Sequence, residues 1–434
     1  MASNHSSTAE LLSDGNIVGT RLPVREHVAL AVAAVMLSIS FWLGWKSQDP
    51  AMFAKAYLQN FLFVLAIALG GLFFVLIQHA TRAGWSVAVR RPAEAIMQNL
   101  RWMWLLFLPV AYMGATHQLD VLFPWADLGH LEKVAPAEAE LVRHKEGFLN
   151  PTFFFIRAAA YFVVWAGLAW FFWRSSTGQD RTGDPAATGR SSTMAYPGAI
   201  LFGITVTFAA VDWIMSLTPA WFSTMFGVYF FTVCCTAGLS AITLVCLALQ
   251  RAGYLRGVIT PEHYQDLGKM LFAFGVVFWA YIAFSQYMLI WYGNIPEETT
   301  WYLVRQVGGW GWASTALLFG HFVVPFLFLV SRWTKRWTLT LAVACVWMLF
   351  FAWFDVYYLV IPSVPHDLGS FATYREFADK YAGESTNLAN PLNWTMLVGM
   401  LALLGAGTAA AARRHPLLAK RDPRLQDSLS FHNM

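Results

Sequence analysis

The chain has 434 residues, of which 57% are hydrophobic, 16% aromatic and only 12% charged, and its formal net charge is +4. Charge is about half as frequent as in soluble domains, and the apolar runs follow one another too closely for a soluble domain of ordinary size; the chain therefore reads as an all-α polytopic membrane protein. The small positive balance is grouped beside the apolar runs, which makes it a matter of topology and excludes nucleic acid as a partner.

Residues 1-26 are polar and lack the basic start and short apolar core of a secretory signal peptide, so they are expected to remain as an inner N-terminal tail. Ten runs of about 20 apolar residues, the length that crosses hydrocarbon as a helix, centre on 27-45, 59-80, 100-117, 152-173, 196-217, 222-249, 268-292, 309-331, 338-361 and 393-412. Arg21 and Arg25, then Arg82, Arg90 and Arg91, then Arg174, Arg181 and Arg190, then Arg251 and Arg256, then Arg332, Lys335 and Arg336, then Arg413, Arg414, Lys420, Arg421 and Arg424 fall on one side of the alternating spans. The positive-inside rule makes that side cytoplasmic and puts both termini inside. The opposite connections are acidic, with Asp120, Asp127, Glu132, Glu138, Glu140 and Glu146 in one and Glu297 and Glu298 in another.

Residues 118-150 and 362-392 are long outer loops rich in Pro, charge and aromatics, expected to cap the protein or dock a partner. The Ser/Thr/Gly/Asp composition of 175-195 reads as a flexible inner linker. WSVAVRRPAEAIMQNLRW, after the second span, reads as a short amphipathic segment at the inner surface. Cys234, Cys235, Cys246 and Cys345 all fall in apolar stretches with no CxxC or CxxCH spacing, so they read as packing residues, without a signature of an iron-sulfur cluster or covalent haem. His79, His117 and His321 stand at unmatched depths, which argues against a two-haem cytochrome b core.

Short strings recur in order along the chain. The second span leaves with HATRAGW and the sixth with ALQRAGY, aligning Arg82 with Arg251 and Trp85 with Tyr254. The fourth contains YFVVW from Tyr161 and the eighth HFVVP from His321; the fifth contains AAVDWIM around Asp212 and the ninth AWFDVYY around Asp355. Residues 59-217 and 218-361 are therefore expected to form two parallel four-helix bundles about an axis along the membrane normal, a repeat whose interface commonly houses a site. Residues 27-58, with the first span, and 393-412, the tenth, are peripheral, and 413-434 form an inner tail.

Asp212 and Asp355 are the chemical centre of this reading. A carboxylate inside an apolar span costs several kcal/mol unless paired, neutral or wetted, so each is a candidate functional group. Both fall in the outer third of the membrane. Arg157 begins close enough to the outer start of its span to reach Asp212, either as a structural ion pair or as a charge that tunes proton exchange. For Asp355 the expected donors are Tyr357 and Tyr358. His321 near the middle of its span is a packing residue or a proton relay, and Pro325 four residues on frees a backbone carbonyl there. Tyr161, Tyr281, Ser285 and Gln286 extend a polar path outward. His79, Glu94 and Lys269 are candidates for an inner uptake path, although an interfacial position is the first reading of all three.

QHATRAGWSVAVRRPAE, DWIMSLTPAWFSTMFGVYFF and LGKMLFAFGVVFWAYIAFSQYMLIWYGNIPEET, in that order, resemble the F-type membrane subunit (ActF) of alternative complex III, a bacterial quinol:electron-acceptor oxidoreductase. That subunit belongs to the NrfD-like superfamily with the polysulfide reductase membrane subunit. The likeness runs through spans two to nine. It implies a multi-pass subunit of the bacterial inner membrane, in a respiratory or photosynthetic electron-transfer chain. Menaquinol or ubiquinol would be oxidised at a related C-type subunit beside an iron-sulfur protein, with c-type haems on other subunits leading to cytochrome c or a terminal oxidase. The F-type chain itself would bind no redox cofactor and would conduct protons through half-channels. Two other readings stay open: a quinol-binding subunit in its own right, and a scaffold without transport. A stand-alone transporter lacks support, because broken half-helices are not evident in both halves.

Overall fold

The computed structural model describes residues 8–19, 22–365, 371 and 373–433, and among these every regular element is helical. Helices α1 (Glu26–Ser47) and α2 (Pro50–Ala80) lead into a broken segment of α3 (Val87–Met97), two 3-10 turns (Gln98–Arg101 and Met103–Phe107) and α4 (Leu108–Ala115). There follow α5 (Pro151–Thr182), α6 (Ala186–Trp213), α7 (Phe226–Arg251), α8 (Pro261–Gly293), α9 (Gly308–Leu329), α10 (Thr338–Val360), α11 (Pro391–Arg413) and the short α12 (Leu425–Leu429). Nine of these helices are long and apolar enough to cross a membrane, among the described residues, and the chain is a multi-pass membrane protein.

Of the ten expected spans, the third, 100-117, is the exception. Pro109 lacks an N–H and its ring opposes the carbonyl four residues back, so the chain before it winds as tight 3-10 turns. The expected surface segment around α3 is also corrected: every residue from Val87 to Met97 is buried. Its charges neutralise one another inside the basic end. Arg90 pairs with Glu94 and Asp422, and Arg91 with Glu94 and Asp180, so the amphipathic face meets protein and not headgroups. Nor is 175-195 a linker. Helix α5 runs to Thr182 and α6 starts at Ala186, with Gly183 turning the chain at φ +70°. The hydroxyls that suggested a linker join the two helices: Ser175 bonds Ser191 at 2.8 Å and Gln179 bonds Thr188 at 2.8 Å.

Both end segments lie with the basic connections at one end of the bundle. Asn16 accepts from the Leu255 amide and Ile17 from the Leu417 amide; Arg421 donates to the Arg181 carbonyl, and Asn433 to that of Glu262. Arg21 lies outside the described residues. At the opposite, acidic end Lys145 donates to the Pro219 carbonyl and Trp221 to that of Glu298.

Helices α2 and α7 pack at the centre of the molecule. A Cβ built on Gly70 would stand 2.0 Å from the Cys234 carbonyl oxygen, and one on Gly238 would stand 2.5 Å from the Gly70 Cα, so the backbones touch there. Under the alignment of Arg82 with Arg251, Gly70 falls one residue from the counterpart of Gly238. Helices α1 and α11 pair at the periphery, where Ser40 donates to Thr395 at 2.8 Å.

Candidate functional site

Asp212, near the end of α6, is buried completely. Arg157 on α5 holds it with Nε on one carboxylate oxygen and Nη2 on the other, both at 2.8 Å, and the Tyr161 hydroxyl adds a third bond at 2.6 Å. Positions 157 and 161 are one turn apart and face the same way. The guanidinium also donates to the Phe148 carbonyl at 3.0 Å and lies over the Phe148 and Phe153 rings. The ion pair is therefore desolvated, bidentate and caged, with three donors, two of them from a cation, engaging both carboxylate oxygens.

Asp355 on α10 is equally buried but differently partnered. Tyr229 on α7 donates to one oxygen at 2.8 Å and the Trp279 indole on α8 to the other at 2.6 Å. The expected donors do not reach it: Tyr357 bonds the Thr386 carbonyl and Tyr358 shares a hydrogen with Ser314 at 3.0 Å. Tyr357, two residues on, turns to another face, whereas Tyr358, three residues on, shares the side of Asp355 but has its hydroxyl engaged by Ser314. His321 on α9 places Nδ1 3.7 Å from the carboxylate and stacks on Trp279 with centroids 4.0 Å apart and rings 7° from parallel. Neither ring nitrogen makes a hydrogen bond among the described residues.

The two carboxylates meet the residues that the repeat pairs with each other: Tyr161 beside Asp212, His321 beside Asp355. The position corresponding to Arg157, one turn before His321, is Leu317, so the second site lacks the cation of the first.

The backbone around His321 is unusual. Leu271–Val277 in α8 and Leu318–Val323 in α9 are wound as π-helix, with Phe278 N–H bonded to Ala273 and Val324 N–H to Phe319, five residues back. Pro325 removes the amide that would otherwise bond the His321 carbonyl. Nearby carbonyls find side-chain donors: Trp347 bonds Gly320 at 2.7 Å and Thr236 bonds Gly275 at 3.2 Å. Such π-bulges occur frequently at functional sites.

Beside this cluster a cavity of about 780 Å³ opens between α8 and α9, with Tyr229 and Trp279 on its inner wall, Tyr302, Ser314 and Tyr358 toward the acidic end, and Tyr281 at its exposed side. Of the expected outward path, Tyr161 is buried on Asp212, and of the three residues on α8 only Gln286 turns inward, bonded to Ser223 at 2.9 Å and Tyr302 at 3.0 Å. Tyr281 is 63% exposed and the Ser285 hydroxyl bonds its own helix at the Tyr281 carbonyl, so these two do not join the buried chain.

The inner candidates are scattered. His79 is buried against Phe172 with neither ring nitrogen bonded among the described residues, Glu94 belongs to the Arg90/Arg91 cluster, and Lys269 is at the surface with Asp266 and Asn433. Sequence reading also missed Tyr229, Trp279 and the buried Arg305. Arg305 caps the end of α10 by donating to the Tyr358 and Leu359 carbonyls at 3.2 Å, over the Trp301 ring at 3.5 Å. Burial lowers this guanidinium to about 10, and its carbonyl partners place positive charge where the helix dipole is negative. The signal was available for Trp279, because an indole N–H in a buried span needs an acceptor. No group of three or more His, Cys, Asp or Glu side chains among the described residues is arranged to hold a metal ion. No protein-family model matches the chain, and no curated protein is significantly similar to it.

Proposed function

We propose that the chain is a proton-handling subunit of a quinol-oxidising membrane complex of the alternative complex III type, seated in a bacterial inner membrane with its basic end cytoplasmic. The sequence resemblance supports the complex; the contrast between the two carboxylates supports the proton role. Asp355 is fully buried, its hydrogen-bond donors are uncharged, and the nearest basic group is a histidine 3.7 Å away. A buried carboxylate so placed avoids a large desolvation cost by carrying a proton that it can exchange with its neighbour. In this reading the proton passes between Asp355 Oδ2 and His321 Nδ1 when the 3.7 Å gap closes to hydrogen-bond distance, and leaves by way of Tyr229 and the adjoining cavity toward Tyr302, Gln286 and Ser223. Asp212 is the fixed counterpart, its charge cancelled by Arg157. The partners would be a C-type membrane subunit, an iron-sulfur subunit and c-type cytochrome subunits, with the quinol oxidised elsewhere in the complex.

Replacing Asp355 by Asn in the intact complex, reconstituted in liposomes, is the direct test. Quinol oxidation is expected to stay near the parent rate while protons released per electron fall. The cavity favours one other reading, in which quinol enters from the lipid and binds beside Tyr229. Loss of quinol oxidation in an assembled Asp355→Asn complex would support that reading and overturn the relay; an unchanged proton yield would contradict the relay as well.

A further inference from the structure

A fissure runs along the basic half of α11. On the acidic half this helix closes against α10, with Trp394 packed on Trp353 at a centroid distance of 4.8 Å. Toward the basic end it leans on α2 and α3, leaving a space of about 260 Å³ between itself, α7 and α10. Leu244, Val245, Leu349, Leu401 and Leu404 line it, and Gly405 forms part of its wall. The sequence GAGTAAAA explains the gap: a run of small residues gives α11 too little side-chain volume to fill it. A Cβ at Gly405 would meet only Val24, at 4.0 Å, which is ordinary contact with room beyond. Leu401 and Val24 at the rim are exposed, so the space is continuous with the surrounding hydrocarbon.

The basic end of the fissure carries charge. Arg413 bonds Glu26 at 3.1 Å and so fastens the end of α11 to the start of α1. Arg25, beside the lining residue Val24, and Arg414, two residues before the lining residue Pro416, are exposed next to that bridge. An apolar slot accepts any acyl chain, whereas guanidinium groups at its mouth select the headgroup. Basic sites of this kind between helices on the positive side hold anionic lipids, and Arg matches a phosphate with two parallel N–H donors.

We propose that the fissure is a binding site for one anionic phospholipid of the leaflet on the basic side, an acyl chain lying between α11, α7 and α10 and the phosphate between Arg25 and Arg414. The site is independent of the Asp355 cluster and of any role in proton transfer.

The test is native mass spectrometry of the delipidated full-length chain, titrated with palmitoyl-oleoyl phosphatidylglycerol or with phosphatidylcholine of the same chains. One phosphatidylglycerol is expected to be retained at a concentration roughly tenfold below that needed for phosphatidylcholine. Arg25→Gln with Arg414→Gln should remove that preference while leaving Arg413 and Glu26 paired, and Gly405→Leu should weaken binding of both lipids. Equal binding of the two lipids by the parent chain would overturn the proposal. So would a headgroup preference that survives the double arginine change, or lipid retention untouched by Gly405→Leu. The arginine pair lies outside the apolar packing, so its result stands even if Gly405→Leu fails to fold.

Discussion

Arg157→Leu is expected to destabilise the protein by about 3–5 kcal/mol, the usual cost of removing one partner from a buried ion pair. The cost arises from what remains. Asp212 would keep only the Tyr161 hydroxyl, at full burial and with no cation in reach of its second oxygen. Asp212→Leu should cost a similar amount, because it strands the guanidinium between the Phe148 and Phe153 rings. Changing both residues to leucine should recover much of the loss, since an apolar pair of similar volume removes both desolvation penalties. Thermal unfolding of the four proteins in detergent gives the coupling directly. If the single changes are mild and simply additive, Arg157 and Asp212 do not act as a unit.

Gly238→Val should be the other severe change. Its Cβ would fall 2.5 Å from the Gly70 Cα and 2.6 Å from the Gly70 carbonyl carbon, and neither is the flexible end of a side chain. Helices α2 and α7 would have to separate, breaking contact along the middle of the molecule. Overpacking of this kind usually costs about 1–3 kcal/mol, and backbone-to-backbone contact puts this site at or above the upper end. Loss of folded protein from membranes, or a lowered unfolding midpoint after extraction, would register it. Gly405→Leu on α11, where no backbone opposes the added atoms, should have a much smaller effect on the midpoint and serves as the internal comparison.

How far these features were legible in the sequence varies by their physical origin. The spans follow from apolar length, and the reach of Arg157 to Asp212 follows from their depths in adjacent spans. The alignment of Tyr161 with His321 was legible as a string match, and each lies beside the carboxylate assigned to its half. The donors to Asp355 were not legible. Tyr229 and Trp279 come from two other helices, and only packing decides which face each helix turns inward. Tyr357 and Tyr358 were the expected donors because they are close in sequence, but the hydroxyl of each is engaged elsewhere, by the Thr386 carbonyl and by Ser314. The 175-195 segment shows a similar ambiguity. Hydroxyls and glycines suit a loose linker, and they suit equally two helices pressed together and bonded through Ser175, Gln179, Thr188 and Ser191. At the basic end, Asp180 and Asp422 lie far in sequence from the arginines they neutralise, so α3 could not be read as buried.

The structure also divides two aspartates that looked alike. One carries a bidentate cation and a phenol, and the other only neutral donors and a stacked histidine. The difference reduces to Leu317 standing where the first half has Arg157. If the second site exchanges a proton and the first does not, infrared difference spectroscopy of the assembled complex during quinol oxidation should separate them. A carboxyl carbonyl band is expected to change with turnover in the parent complex and to be missing in Asp355→Asn. A band that persists unaltered in Asp355→Asn would place the exchanging proton on another group.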